Sequence, residues 1–218
     1  MKLIELTHSE NCDPFLLTEL TRNYPFSWKD TDLAQSFIQQ VGGNTYIPGE
    51  KLRTIIPTFK KLGWQYTDSG SFSSVFVNPK KLYILKINYR ADRPFAWFAL
   101  LTRKFPNPHF PRIGDMKIFN FQHQRYYMFM IEKLEDGNIP PEWKYFRDVG
   151  TWKHTSVLKK NLLLLPKRTQ QYFQENPSLV DALEIISTYR HGYKLDIFPS
   201  NIMFRKDGTL VIVDPYYQ

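Results

Sequence analysis

Lys194-Leu195-Asp196-Ile197-Phe198-Pro199-Ser200-Asn201-Ile202-Met203, followed by Asp207-Gly208-Thr209-Leu210-Val211-Ile212-Val213-Asp214-Pro215, is the stretch whose reading decides the fold. Asn201 stands five residues after Asp196, and Asp214 thirteen after Asn201. Asn201 to Phe204 and Thr209 to Val213 read as short strands joined through the turn Lys206-Asp207-Gly208. A hairpin of that length returns Asp214 beside Asn201. A lone Asp or Asn is usually a turn residue or a cap; three in this register, after a helix, ask for another explanation. That helix is signalled by Leu179, Leu183, Ile186 and Tyr189 at helical spacing, with Ser178 as its cap.

Upstream, Glu135-Asp136-Gly137-Asn138-Ile139-Pro140-Pro141 is a polar, proline-bearing break that suits a hinge between lobes. Before it lie runs rich in Val, Ile, Phe and Tyr: Ser71 to Val77, Leu82 to Asn88, Met116 to Phe121 and Gln124 to Ile131. These read as strands. Turns at Asn78-Pro79-Lys80 and at Asn120 to His123 make them two hairpins of an antiparallel sheet, interrupted by a helix from Arg93 to Lys104 with Pro94 in its first turn. Residues 1–62 read as helical, with a cap and proline at Asp13-Pro14 and a second helix opened by Thr31-Asp32 and closed by Gly42-Gly43. A third, from Glu50 to Leu62, contains Pro57, which removes a backbone donor or kinks it. The expectation is an α+β chain: a helical extension over 1–62, an antiparallel-sheet lobe over 63–134, and a truncated, mainly helical lobe over 135–218 that carries the loop and hairpin.

Composition sets the limits. In 218 residues, 42% hydrophobic and 16% aromatic content suffices for a core. No stretch approaches the roughly 20 apolar residues of a membrane span, and the opening Met1-Lys2-Leu3-Ile4-Glu5 turns acidic before a signal-peptide core forms. Cys12 is the only cysteine, so an internal disulfide and a zinc staple are both excluded, and a cytoplasmic location with no membrane partner is expected. The net charge of +8 comes from basic residues spread along the chain and favours acidic or phosphorylated partners. No basic stripe interleaved with aromatics stands out in the sequence, so nucleic acid is not indicated as a partner.

The 194–215 stretch resembles the catalytic loop and metal-binding hairpin of protein kinases. That resemblance implies a small bilobal kinase-like fold in which Asp196 accepts the proton of the substrate hydroxyl. It also implies that Asn201 and Asp214 hold Mg²⁺ or Mn²⁺ against the phosphates of ATP. Asp68-Ser69-Gly70-Ser71-Phe72-Ser73-Ser74-Val75 resembles a glycine-rich phosphate loop that keeps only its middle glycine. Gly70, Ser71, Phe72, Ser73 and Val75 would then line the nucleotide. Lys86, within Tyr83-Ile84-Leu85-Lys86-Ile87, matches the phosphate-binding lysine. Met128 to Ile131 leads into Glu132-Lys133-Leu134 as the adenine-contacting hinge, with Met130 read as the residue at the back of that pocket and Glu132 and Leu134 as further nucleotide contacts.

Within the superfamily, Leu62-Gly63 ahead of Gly70-Ser71-Phe72-Ser73, Leu85-Lys86-Ile87, Asn201-Ile202-Met203-Phe204 and Asp214-Pro215 are similar to the early serine/threonine kinase family of T-seven-like bacteriophages. The likeness covers about residues 62–134 and 178–216. It implies phosphorylation of host proteins, including transcription and RNA-processing machinery. Three departures stand beside it. The helix from Arg93 to Lys104 has no glutamate to pair with Lys86, leaving Asp92 or Asp115 as substitutes; Lys194-Leu195 replaces His-Arg; and Phe198 replaces the lysine that neutralises the transferring phosphate. With four residues after Asp214, an activation segment is not expected, and docking would fall to residues 1–62 or 135–177. A kinase-like protein that binds and blocks a host factor, and a small-molecule kinase, are the alternative readings.

Overall fold

The structure is a computed structural model that describes residues 56, 57, 59–69, 73–88, 93–121, 124–143 and 164–217. The helices expected before residue 56, and Gly70, Ser71 and Phe72 of the phosphate-loop reading, lie outside these residues. The described elements form two compact units, one from the chain up to Asp92 together with Ile113–Lys133, the other from Arg93–Arg112 together with Leu134 onward. No helix among the described residues is long and apolar enough to cross a membrane.

The first unit is a five-stranded antiparallel sheet. Its strands are β1 (Gln65–Ser69), β2 (Ser73–Val77), β3 (Tyr83–Asn88), β4 (Ile113–Phe121) and β5 (Gln124–Glu132), in the order β1-β2-β3-β5-β4. The four expected strands are present, β4 beginning three residues before the expected Met116. β1 is an addition: Gln65-Tyr66-Thr67-Asp68-Ser69 is too polar to read as a strand, and it pairs only with β2. Period-two alternation sorts the side chains of β3. Tyr83, Leu85 and Ile87 join Phe76, Met128 and Met130 in a core completed by Phe59 and Trp64 from the helical turn and loop before β1. Phe59 stacks on Phe76 at 4.6 Å, and Trp64 meets Tyr83 at 5.6 Å. Pro57 is accommodated in helical backbone, and the turn closes at Gly63, whose φ of 84° suits glycine. Burying each such side chain contributes about 1.5–3 kcal/mol.

The second unit opens with α1 (Arg93–Lys104), which buries Phe95, Phe98 and Leu101. The Phe98 ring packs edge-on against Phe110 and Tyr216. After the break come α2 (Lys167–Glu175) and α3 (Pro177–Thr188), then β6 (Lys194–Leu195), a 3₁₀ turn (Pro199–Asn201), β7 (Ile202–Phe204), β8 (Leu210–Ile212) and β9 (Tyr216–Tyr217). β6 pairs with β9 and β7 with β8, both antiparallel. The expected hairpin is therefore present. Its turn is set by Asp207, whose Oδ1 accepts from the Thr209 N–H at 2.9 Å, and by Gly208 at φ 85°.

Ser178 is not the cap of α3. Asn176 holds that position, Pro177 fills the first helical site, and the Ser178 hydroxyl turns instead to His109. His109 follows α1 and is buried. Its Nδ1 lies 2.8 Å from the Leu210 carbonyl, which can only accept, so Nδ1 carries the proton and Nε2 accepts from the Ser178 hydroxyl at 3.0 Å. Burial holds the His109 pKa below its ordinary value, the Leu210 carbonyl opposing and the Arg205 charge reinforcing that shift.

The unfolded chain therefore takes up a proton on this imidazole at about pH 6.5, while the folded chain resists until lower pH. Stability present above that value is lost as pH falls through it. Urea unfolding at pH 7.5 and 5.5 should show the wild type weaker at the acidic value. His109→Gln should remove most of that difference and cost about 1–3 kcal/mol at neutral pH. An unchanged pH slope in the variant would remove His109 from this role.

Candidate active site

The site is built from the ends of short strands. Val213 N–H donates to the Asn201 carbonyl at 2.9 Å, and Asp196 N–H donates to the Pro215 carbonyl at 2.7 Å. Asp214 lies between those two anchored residues, so its position relative to Asn201 and Asp196 is set by backbone bonds. The Asn201 Nδ2 donates to the Asp196 carbonyl at 2.8 Å, which leaves Oδ1 as the acceptor end of that amide. The 3₁₀ turn over Pro199–Asn201, closed by the Asn201 N–H on the Phe198 carbonyl at 2.9 Å, aims the amide inward. Asp196, Asn201 and Asp214 are all half-buried.

The strands are themselves held from behind. The Tyr216 hydroxyl donates to the Ile186 carbonyl at 2.8 Å, tying β9 to α3, and burial raises the phenol's pKa far above its ordinary range. Ile212 N–H donates to the His109 carbonyl at 2.9 Å, and the Arg205 guanidinium donates to the carbonyls of Pro108 and Phe110. Glu135 and Phe204 exchange two backbone bonds of 2.8 Å each. A Cβ at Gly137 would come within 2.4 Å of the Phe204 ring, so only glycine lets the linker lie there.

Burial raises the pKa of Asp196 above the usual carboxylate range; the Asn201 side chain partly offsets this, and the Asp214 charge adds to it. Like charges held close are what a divalent cation relieves. Two carboxylates and an amide oxygen are hard donors of the kind that bind Mg²⁺ or Mn²⁺. Among the described residues no group of three or more His, Cys, Asp or Glu side chains comes together, so any cation here depends on the amide as well as the acids. Phe198 is 45% exposed, with an apolar ring where the kinase pattern has a lysine.

In the first unit Lys86 is only 7% exposed. It is the direct partner of Val75 on β2 and of Phe129 on β5, so these three share the sheet face opposite the core cluster. Ser73 is buried at the start of β2. Met130 is a correction. It pairs with Leu85, which turns its side chain into the core cluster on the other face, and the β5 residues that share the Lys86 face are Phe129 and Ile131. The sequence missed this because a one-residue register choice between β3 and β5 exchanges the faces; the bond from Lys133 N–H to the Leu82 carbonyl, 3.0 Å, fixes it. Glu132 ends β5 half-buried, Leu134 is buried, and the chain passes from the first unit to the second between Lys133 and Leu134. Asp92 lies outside the described residues, and Asp115 is part of β4. His109 and Arg205, which brace the hairpin, had no signal in the sequence beyond the turn-rich Pro106-Asn107-Pro108 before His109.

No protein-family model matches the chain, and no curated protein is similar to it. Among solved structures the chain is similar to the Cydia pomonella Granulovirus kinase PK-1, at 16% identity over 77% of this chain and a TM-score of 0.39. It spans 58% of that kinase chain, less than two thirds. It is also similar to APH(2")-IIa in a ternary complex with streptomycin and ATP, at 13% identity over 78% of this chain and 71% of that one, with a TM-score of 0.32. Likeness of this degree carries no weight for activity, which has to be read from the residues of the site.

Asp214→Asn removes a neighbouring negative charge and should lower the pH at which Asp196 titrates, though not to the ordinary value, since burial is the larger cause. Carboxyl ¹³C shifts followed against pH measure this without any assay of turnover. An Asp196 midpoint that does not move would separate the two carboxylates.

Proposed function

We propose that this protein is an ATP-dependent phosphotransferase, a serine/threonine protein kinase of the phage host-takeover kind. In this reading it acts in the host cytoplasm on host proteins such as transcription or RNA-processing machinery. The observation that carries the phosphotransfer reading is the pinning of Asp214 between Asn201 and Asp196, with the Asn201 amide turned onto the Asp196 carbonyl. The phage-kinase likeness of the sequence motifs supports the narrower class.

Asp196 takes the proton as the acceptor hydroxyl oxygen bonds to the γ-phosphorus, the bond from that phosphorus to the bridging oxygen breaks, and ADP leaves with its electron pair. A carboxyl held above the ordinary range is a stronger base than a free aspartate. Asn201 and Asp214 hold Mg²⁺ or Mn²⁺, which when bound neutralises the triphosphate. Lys86 binds ATP phosphates, and Val75, Glu132 and Leu134 bound the nucleotide. Gly70, Ser71, Phe72 and Ser73 supply the phosphate loop. Two departures from the kinase pattern favour the host-factor-blocking alternative: α1 contains no glutamate, and Phe198 stands where that pattern has a lysine.

Calorimetry with ATP and Mg²⁺ separates the roles. Asp214→Asn should abolish metal-dependent ATP binding in a folded protein, while Asp196→Asn should leave ATP affinity nearly unchanged and lower single-turnover phosphate transfer by about a hundredfold or more. Wild-type rates from Asp196→Asn would take that residue out of the mechanism.

Lys86→Met keeps side-chain volume and removes the charge. A charge-assisted contact of about 1.5–3 kcal/mol predicts tenfold to hundredfold weaker ATP binding. A change below about twofold would leave the fold without its phosphate clamp and favour the blocking protein.

A further inference from the structure

Two segments of the second unit bring rings and cations onto one surface. Residues 97–105 and 189–194 contribute Arg103, Lys104, Arg190 and Lys194 and not one Asp or Glu. Phe105 stacks on Tyr189, with centroids 4.6 Å apart and planes 25° apart, and the Lys104 ammonium lies 5.9 Å from the Phe105 centroid. Beside that pair Trp97 stacks on His191 at 4.7 Å, again with planes 25° apart. The Trp97 indole N–H donates to the Tyr189 carbonyl, which locks the two stacks to each other. Tyr193 meets His191 edge-on at 6.2 Å. The series continues to Lys194, 5.5 Å from the Tyr217 centroid, on the strand pair that delivers Asp196.

Exposure and backbone both favour a ligand here. Tyr189 and Tyr217 are 41% and 43% exposed, and His191, Lys104 and Lys194 are exposed as well. His191 has a φ of 47° and is the only non-glycine residue with positive φ among the described residues. Glycine would fit that conformation with less strain; the fold instead keeps an imidazole against Trp97 with part of its ring open to water.

We propose that this track of rings and cations binds single-stranded nucleic acid, with bases stacking on Tyr189 and His191 and phosphates meeting Lys104, Arg190 and Lys194. Every base presents a flat π-face, so ring platforms flanked by cations bind strands with little regard to sequence. A duplex hides those faces in its own stack. An acidic peptide would be drawn by the same cations but would leave the rings unused. The overall charge of +8 adds long-range attraction for a polyanion. Nothing in the proposal requires ATP or phosphotransfer.

The full chain is titrated into a fluorescein-labelled oligothymidylate of about 15 nucleotides, a length suited to such platforms, and anisotropy is read without ATP or metal. Binding that weakens as salt rises is expected. Tyr189→Ala should weaken it roughly tenfold, and Lys194→Gln should lower the salt slope by about one. His191→Gly removes a ring while relieving its backbone, so a roughly tenfold loss there reports stacking rather than unfolding. No binding at low salt overturns the proposal. So does undiminished binding by His191→Gly, equal affinity for a duplex, or equal competition by polyglutamate, each of which marks a surface that reads charge alone.

Discussion

The second unit is organised around one constraint: the backbone of 213–215 is bonded on one side to Asn201 and on the other to Asp196. Asp214 cannot shift without breaking a strand bond. Burial is what chiefly raises the Asp196 pKa, and the Asp214 charge adds to it, so holding the two carboxylates together is electrostatically unfavourable. Something else must supply the geometry. It comes from the Tyr216 hydroxyl on α3, from the His109 carbonyl on β8, and from the paired bonds between Glu135 and Phe204. Polar groups fixed in advance do not have to reorganise when charge develops in a reaction, which is how such an arrangement accelerates chemistry.

The sheet applies a different constraint in the first unit. Alternation on β3 sends Tyr83, Leu85 and Ile87 into an aromatic core and leaves Lys86 on the other face. Because that core holds three of the strand's six residues, a slip of one position would put a charged ammonium among Phe59, Trp64 and Phe76. The packing that stabilises the sheet therefore also fixes which way Lys86 points. A lysine turned to the second face is determined by its neighbours' hydrophobicity, whatever it binds.

How much of this the sequence discloses depends on whether a feature is local. The hairpin through Asp207-Gly208 was legible because turn chemistry and strand length sit within fifteen residues of Asn201, and its consequence, Asp214 beside Asn201, is geometric. The helix from Arg93 to Lys104 was legible from the proline in its first turn, with the same bounds. Long-range choices were not legible. Reading Met130 as the back of the pocket requires knowing its sheet face, and the β3–β5 register that decides it depends on a pairing some 45 residues apart in the chain. Ser178 looked like a cap because it is a serine before an apolar run, but Asn176-Pro177 starts the helix and a histidine 69 residues away claims the hydroxyl. The ring track was invisible for the same reason: Trp97 and Phe105 meet Tyr189 and His191 only once the chain has folded.

Phe198 stands exposed in the loop between β6 and the 3₁₀ turn. Where the kinase pattern puts a cation two residues beyond the base, this loop has an apolar ring, and the influences on Asp196 are burial, an amide and another carboxylate. A nearby ammonium would pull the Asp196 pKa down and share the charge of a transferring phosphate. Without it Asp196 keeps its raised pKa and is a stronger base than a free aspartate. In the proposed reading the charge of a transferring phosphate then has to be met by groups outside this loop. The same substitution leaves an exposed apolar ring two residues along the loop from Asp196, which itself directly follows the strand pair where Lys194 lies over Tyr217.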